Sequence, residues 1–207
     1  MLWNGATLLA ICGMLALSAC ASKYAQRPAR LDLQPYGHVA LVAFTSENER
    51  GGLSALATQR FAEAVLESQT GFELVELGGS DPALKDLPAR TDPVVLAQAL
   101  GEKKNLPAVF VGHLKVSGVK PRARISAGDM NLRAAVSAEL TVRLLSTRTG
   151  GTLWRSSSVA DGTVGKVGLA GGLPSIAVRD AETAYGKMLH AMVADVTRDL
   201  RPTWVKQ

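Results

Sequence analysis

The chain has 207 residues, a formal net charge of +5, and 47% hydrophobic, 5% aromatic and 20% charged residues. These values exclude a disordered or low-complexity chain, and so few aromatics leave a core built from Leu, Val and Ala. The positive excess suits contact with anionic phospholipid, lipopolysaccharide or cell-wall polymer, while no motif points to nucleic acid.

Met1-Leu-Trp-Asn leads into an apolar run over residues 5–17. Its length is that of the hydrophobic part of an export signal, about 7–15 residues. It falls short of the roughly 20 residues a spanning helix needs. No Lys or Arg precedes the run, and residues 1–19 carry no charge, so the exported part keeps the whole +5. Leu17-Ser18-Ala19-Cys20 then resembles the bacterial lipobox. The resemblance implies that the Cys20 thiol takes a diacylglycerol and that cleavage falls just before it. The new amino group then takes a third acyl chain. Two or more buried acyl chains hold a protein stably on a bilayer. Ala21 and Ser22 follow where an Asp would signal inner-membrane retention. The resemblance therefore implies the outer membrane, with the domain facing the periplasm. Cys12 leaves with the signal and Cys20 is consumed by lipid. No thiol remains for a disulfide, a metal or nucleophilic catalysis.

Residues 20–37 read as the lipidated Cys and a short tether with two prolines, and residues 38–207 as one α/β domain. Residues 38–44 form a continuous apolar run, the pattern of a strand buried on both faces. Residues 53–68 have the period of an amphipathic helix, with Leu53, Leu56, Ala57, Phe61, Ala64 and Val65 on one face. Phe72–Leu77 reads as the second strand. Asp92 and Pro93 open a second helix, as N-cap and first helical residue, running to about Lys104. Residues 106–116 make the third strand.

Residues 117–131 read as a loop, basic and not alternating. Residues 135–145 alternate cleanly, as a half-exposed antiparallel strand does. A turn at Thr149-Gly150-Gly151 returns the chain along 152–160, completing a hairpin. Residues 161–175 read as a glycine-rich loop, and 177–200 as the last helix, its apolar stripe starting at Ile176. The order β-α-β-α-β-β-β-α predicts a mixed sheet of about five strands with helices packed on it.

Several segments together resemble the periplasmic lipoprotein superfamily typified by the curli-secretion lipoprotein CsgG and the penicillin-binding-protein activator LpoB. They are Val39–Phe44, Gly71–Val75, Ala108–His113 and the hairpin Thr141–Gly150 leading to Leu153-Trp154. In the hairpin, Ser146 stands where the family usually has Asp, and Gly151 where it usually has Glu. The resemblance covers about 38–200 and implies a non-enzymatic accessory factor that binds another envelope protein. Its alternative is a subunit of an oligomeric outer-membrane channel, formed by self-association. A channel needs membrane hairpins with strands of roughly 9–11 residues. Neither 117–131 nor 161–175 reads as one.

No constellation suggests catalysis, a metal or a cofactor. His38, His113 and His190 lie on separate elements without metal-ligand spacing. Ser156-Ser157-Ser158 reads as strand hydroxyls. The glycines of 165–172 lack the phosphate-loop spacing, and nothing fixes the distance between Asp161 and Asp180. One patch stands out. Lys115, Lys120, Arg122, Arg124 and Arg133 surround a single acid, Asp129. This is the candidate interaction surface, for anionic headgroups or an acidic partner.

Overall fold

The structure, a computed structural model, describes residues 24–206 apart from 48–51, 80, 86, 89–90, 118–119, 127–128, 171–172 and 177–180. It describes no side chains within 118–135 and 163–184. The signal and Cys20 therefore lie outside the described residues.

The expected mixed sheet is present, with helices on both faces. Strand β2 (His38–Val42) runs parallel to β4 (Glu73–Leu77) and to β5 (Ala108–Val116). The contacts through β7 (Asp129–Ser146) and β8 (Thr152–Ala170) are antiparallel. The order is β4-β2-β5-β7-β8, continued by β9 (Leu173–Ile176) beside β8. Two shorter strands complete the eight: β3 (Thr45–Glu47) pairs with β5, and β6 (Lys120–Ser126) with β7. A separate ribbon joins β1 (Tyr24–Arg27) to β10 (Thr203–Lys206).

Val39–Val42 is buried throughout, as its continuous apolar run required. Helix α1 (Leu53–Ser68) and helix α4 (Ala181–Val196) cover one face of the sheet. Phe61, Leu189 and Met192 meet Leu41, Phe110, Leu140 and Val142 there. The short α2 (Pro82–Lys85) and α3 (Pro93–Lys104) cover the other face over Ala40, Val109 and Leu145. Asp92 caps α3 as expected: its carboxylate accepts the Val94 N–H at 2.8 Å. Lys104, at the far end of α3, reaches Asp81 at 2.8 Å. That hydrogen bond first, and the Ala83 N–H second, hold the Asp81 carboxyl below the usual carboxylate range.

Residues 28–36 are tied to the body. Leu31 and Leu33 are in the core, and the Arg30 and Leu31 N–H groups donate to the Asp199 carbonyl at 2.9 and 3.1 Å. Gln69, at the end of α1, gathers three backbone groups. Its Oε1 accepts from Leu33 N–H at 2.7 Å, and its Nε2 donates to the Leu31 and Leu200 carbonyls. One amide side chain thus fastens the entry and exit of the chain to the same helix end.

Two expected loops are strands. Most of 117–131 forms β6 and the start of β7, paired antiparallel from Lys120↔Ala135 to Ser126↔Asp129. Most of 161–175 forms the end of β8 and most of β9, paired from Val167↔Ile176 to Ala170↔Leu173. Ile176 therefore belongs to β9 and not to the last helix, which is described from Ala181. The two hairpins lie side by side, because β7 also pairs with β8 as far as Arg133↔Lys166. At the root, Ser117 N–H donates to the Ser137 carbonyl at 2.7 Å, and Ser137 N–H donates to the Ser117 hydroxyl at 2.8 Å.

Candidate functional site

Antiparallel pairing puts opposed residues on one face, and alternate residues along a strand share that face. In the β6–β7 hairpin the register places Lys120, Arg122, Arg124, Asn131 and Arg133 on one face. Pro121, Ala123, Ile125, Met130, Leu132 and Ala134 fall on the other. On β8 the register shifts between Ala134 and Ala135, which places Lys166 with Arg133 and Gly165 with Ala134. Val167 and Leu169, with Ile176 and Pro174 opposite them, continue the apolar face. The sequence reading of 117–131 as non-alternating is thus corrected. Its charge concealed a period of two.

The five basic residues expected to form a patch share one face of the sheet. Lys115 is exposed on β5 opposite Glu139, with Glu47 of β3 on its other side. Acidic register neighbours therefore offset it. The other four share their face with two acids, Asp129 at the hairpin tip opposite Ser126 and Asp161 on β8 opposite Ser137, each four positions along β7 from the level of Arg133. The register also assembles a row that the sequence alone does not show. Arg122 is opposite Arg133, and Arg133 is opposite Lys166. Three basic residues occupy adjacent register positions across three strands, whose backbones lie about 4.8 Å apart. Directly opposed like charges destabilise a sheet, by up to about 1 kcal/mol per pair. Such a row is tolerated best when an anionic group lies across it. Lys166 was missed because only the β8 register places it there.

The same face carries a cleft of about 680 Å³, where β2 ends and α3 begins. Val42, Leu96 and Val111 form its apolar wall, and Thr45, His113 and Arg143 its polar rim. A bend between β2 and β3 opens it. The bend is held by Phe44 N–H, which donates to the Thr58 hydroxyl of α1 at 2.9 Å. Phe44 itself turns into the core against Gly112, where an added Cβ would come within 2.3 Å of the ring. Only glycine fits that position of β5. His113 Nδ1 is 3.0 Å from the Thr45 hydroxyl, and its Nε2 is 3.7 Å from Glu47. Ligand cavities of this size are common, and this one is an open trough with few convergent polar groups.

The other candidate residues stay apart. His38, exposed at the start of β2, pairs with Glu73 of β4 at 3.0 Å. Among the described residues no three His, Cys, Asp or Glu side chains converge as metal ligands would. Ser156 to Ser158 lie in β8, and Asp180 is outside the described residues. No helix of the described residues is long and apolar enough to cross a membrane.

No family model matches the chain, and no curated protein matches it. Solved structures do. The PelC dodecamer from Paraburkholderia phytofirmans is 12% identical, with 86% of this chain and 97% of that one covered and a TM-score of 0.46. The LpoB C-terminal domain from Salmonella enterica is 17% identical, with 77% and 98% covered and a TM-score of 0.40. Lipoprotein GNA1162 from Neisseria meningitidis is 17% identical, with 61% and 83% covered and a TM-score of 0.39. These similarities do not assign the chain to a family.

Proposed function

We propose that this chain is a lipid-anchored, non-catalytic accessory factor of the bacterial envelope. It binds an acidic surface of another envelope protein on the basic face of its hairpin sheet. The observation that carries the reading is the row Arg122–Arg133–Lys166. Its repulsion has no structural use within the sheet, and an acidic partner converts it into attraction. The cleft beside α3 lies on the same face and offers an apolar wall to a side chain of that partner. The test is reversal of Arg122 and Arg124 to Glu, read by partner capture from the intact cell envelope. Capture at the wild-type level removes the proposal. Lipidation at Cys20 and placement in the outer membrane facing the periplasm belong to the same proposal, and rest on the lipobox resemblance.

A second reading, a subunit of an oligomeric outer-membrane channel, is favoured by the two-faced β6–β7 hairpin. The β6–β7 hairpin presents an apolar face and a basic one, as membrane strands do, whereas the β8–β9 pairing carries Val167, Leu169, Pro174 and Ile176 on one face and Gly168, Ala170, Leu173 and Ser175 on the other. A membrane strand needs about 9–11 residues; β7 has 18 and β8 has 19, while the described parts of β6 and β9 have 7 and 4. Light scattering of the lipidated protein in mild detergent separates the two readings. The accessory reading expects a monomer or dimer. A ring of roughly eight or more subunits, closing the edges of neighbouring sheets, would establish the channel.

A further inference from the structure

The β1–β10 ribbon is an unusual use of chain. A two-stranded ribbon is marginally stable in water by itself, yet all four residues of β10 are exposed. It also carries the two most exposed aromatic side chains among the described residues, Trp204 at 66% and Tyr24 at 56%. The register, Tyr24↔Lys206 and Gln26↔Trp204, puts both aromatics on one face of the ribbon with Lys206. Residues 24–30 and 201–206 contain Arg27, Arg30, Arg201 and Lys206 and no acid, although Arg30 is paired with Asp199 beyond them at 3.3 Å. Trp and Tyr beside cations are the residues that settle at the headgroup level of a bilayer. Each Lys or Arg near an anionic surface adds about 1 kcal/mol of attraction. The lipid-bearing position is also near. Cys20 precedes Tyr24 by so little chain that it lies within roughly 14 Å, at about 3.5 Å per residue.

We infer that the ribbon is a second membrane contact, seated among anionic phospholipid headgroups beside the acyl chains. Lipid on Cys20 holds the protein to the membrane, and the ribbon sets how the domain stands on it. The ribbon springs from the point where Arg30 meets Asp199, at 3.3 Å, and Trp154 Nε1 donates to the same carboxylate, also at 3.3 Å. Trp154 is opposite Leu144 on β7. From there to Arg133 the strand extends roughly 37 Å, at about 3.4 Å per residue. The ribbon therefore anchors one end of the long sheet and holds the cationic row out from the membrane. That orientation suits a partner reached across the periplasm, and it opposes the channel reading, whose hairpins must enter the anchoring membrane.

The inference deepens the anchoring part of the proposed function, and its test is independent of lipidation. The chain from residue 20 onward, with Cys20→Ser so that no lipid is attached, is mixed with two kinds of vesicle. One contains phosphatidylethanolamine and phosphatidylglycerol at 3:1, the other phosphatidylcholine alone. Trp154→Phe leaves Trp204 as the only tryptophan. The expected result is a blue shift of roughly 10 nm and several-fold protection from acrylamide, on the anionic vesicles only. Because Trp154 packs in the core, a second variant keeps it and carries Tyr24→Ser with Trp204→Ser. This variant should lose at least about tenfold in vesicle co-sedimentation, while Arg122→Glu with Arg124→Glu should lose little. Absence of binding by the parent chain overturns the inference. So does equal binding by the ribbon variant, or loss of binding only on reversal of the hairpin charges. Intact mass of the natural protein separately reports whether Cys20 is acylated.

Discussion

Replacing Phe61 by alanine is expected to lower the stability of the folded domain by about 3–5 kcal/mol. Phe61 is fully buried on α1, and its ring lies between two others. Phe44 is 5.4 Å away, centroid to centroid, and Phe110 is 5.2 Å away, edge to face. Phe110 in turn meets Trp154 at 6.1 Å. The four rings run from the β2–β3 bend through the centre of the sheet to β8, so the cavity left by alanine opens at their middle. A domain of this size has roughly 5–15 kcal/mol in total. The variant should therefore unfold at a much lower urea concentration, measured on the unlipidated chain. Leu66→Ala on the same helix is the control. Leu66 is 50% exposed, and its loss should stay within about 0.5 kcal/mol. A loss below about 1 kcal/mol for Phe61→Ala would contradict the packing of α1 on the sheet.

Cys20→Ala, exported behind a signal that is cleaved without the lipobox, is expected to move the protein from the membrane fraction to the soluble one. Each acyl methylene buried in the bilayer contributes about 0.8 kcal/mol, so the two or three chains implied at Cys20 outweigh any surface contact the domain makes. The ribbon contact should leave a weak association that high salt removes, because charges at a membrane surface are screened within a Debye length. Fractionation with and without a salt wash checks both parts. A Cys20→Ala protein that pellets as the natural one does, salt-washed or not, would remove the lipid anchor from the account.

The parts of the fold most legible in the sequence were those with one strong local signal. Val39–Val42 has no polar residue and could only be a strand buried on both faces. Asp92-Pro93 marks the start of α3 through two independent preferences. Thr149-Gly150-Gly151 marks the β7–β8 turn, where Gly150 has a φ of +70° and an added Cβ would strike Val94 at 2.3 Å. The hairpins were hidden because their signals conflict. Arginines and Pro121 mask the alternation of 120–126, and Gly162, Gly165 and Gly168 dilute that of β8. The docking of Leu31 and Leu33 depends on Gln69, more than thirty residues away, and no local pattern announces it. The candidate site followed the same rule. Its residues could be named from charge alone, but the row they form is a matter of register.

The most direct test of the cationic face as the working surface is capture of the partner by Arg122→Glu with Arg124→Glu, compared with the natural chain. The first of these substitutions sets a carboxylate opposite Arg133, and so replaces a repulsive cross-strand pair with an attractive one. Stability should hold or rise. Capture should fall at least about tenfold, the loss of roughly 1.4 kcal/mol of attraction. Lower capture with unchanged or higher stability is the result expected of a docking surface. Unchanged capture would contradict it, and so would a loss of capture that merely follows a loss of folding.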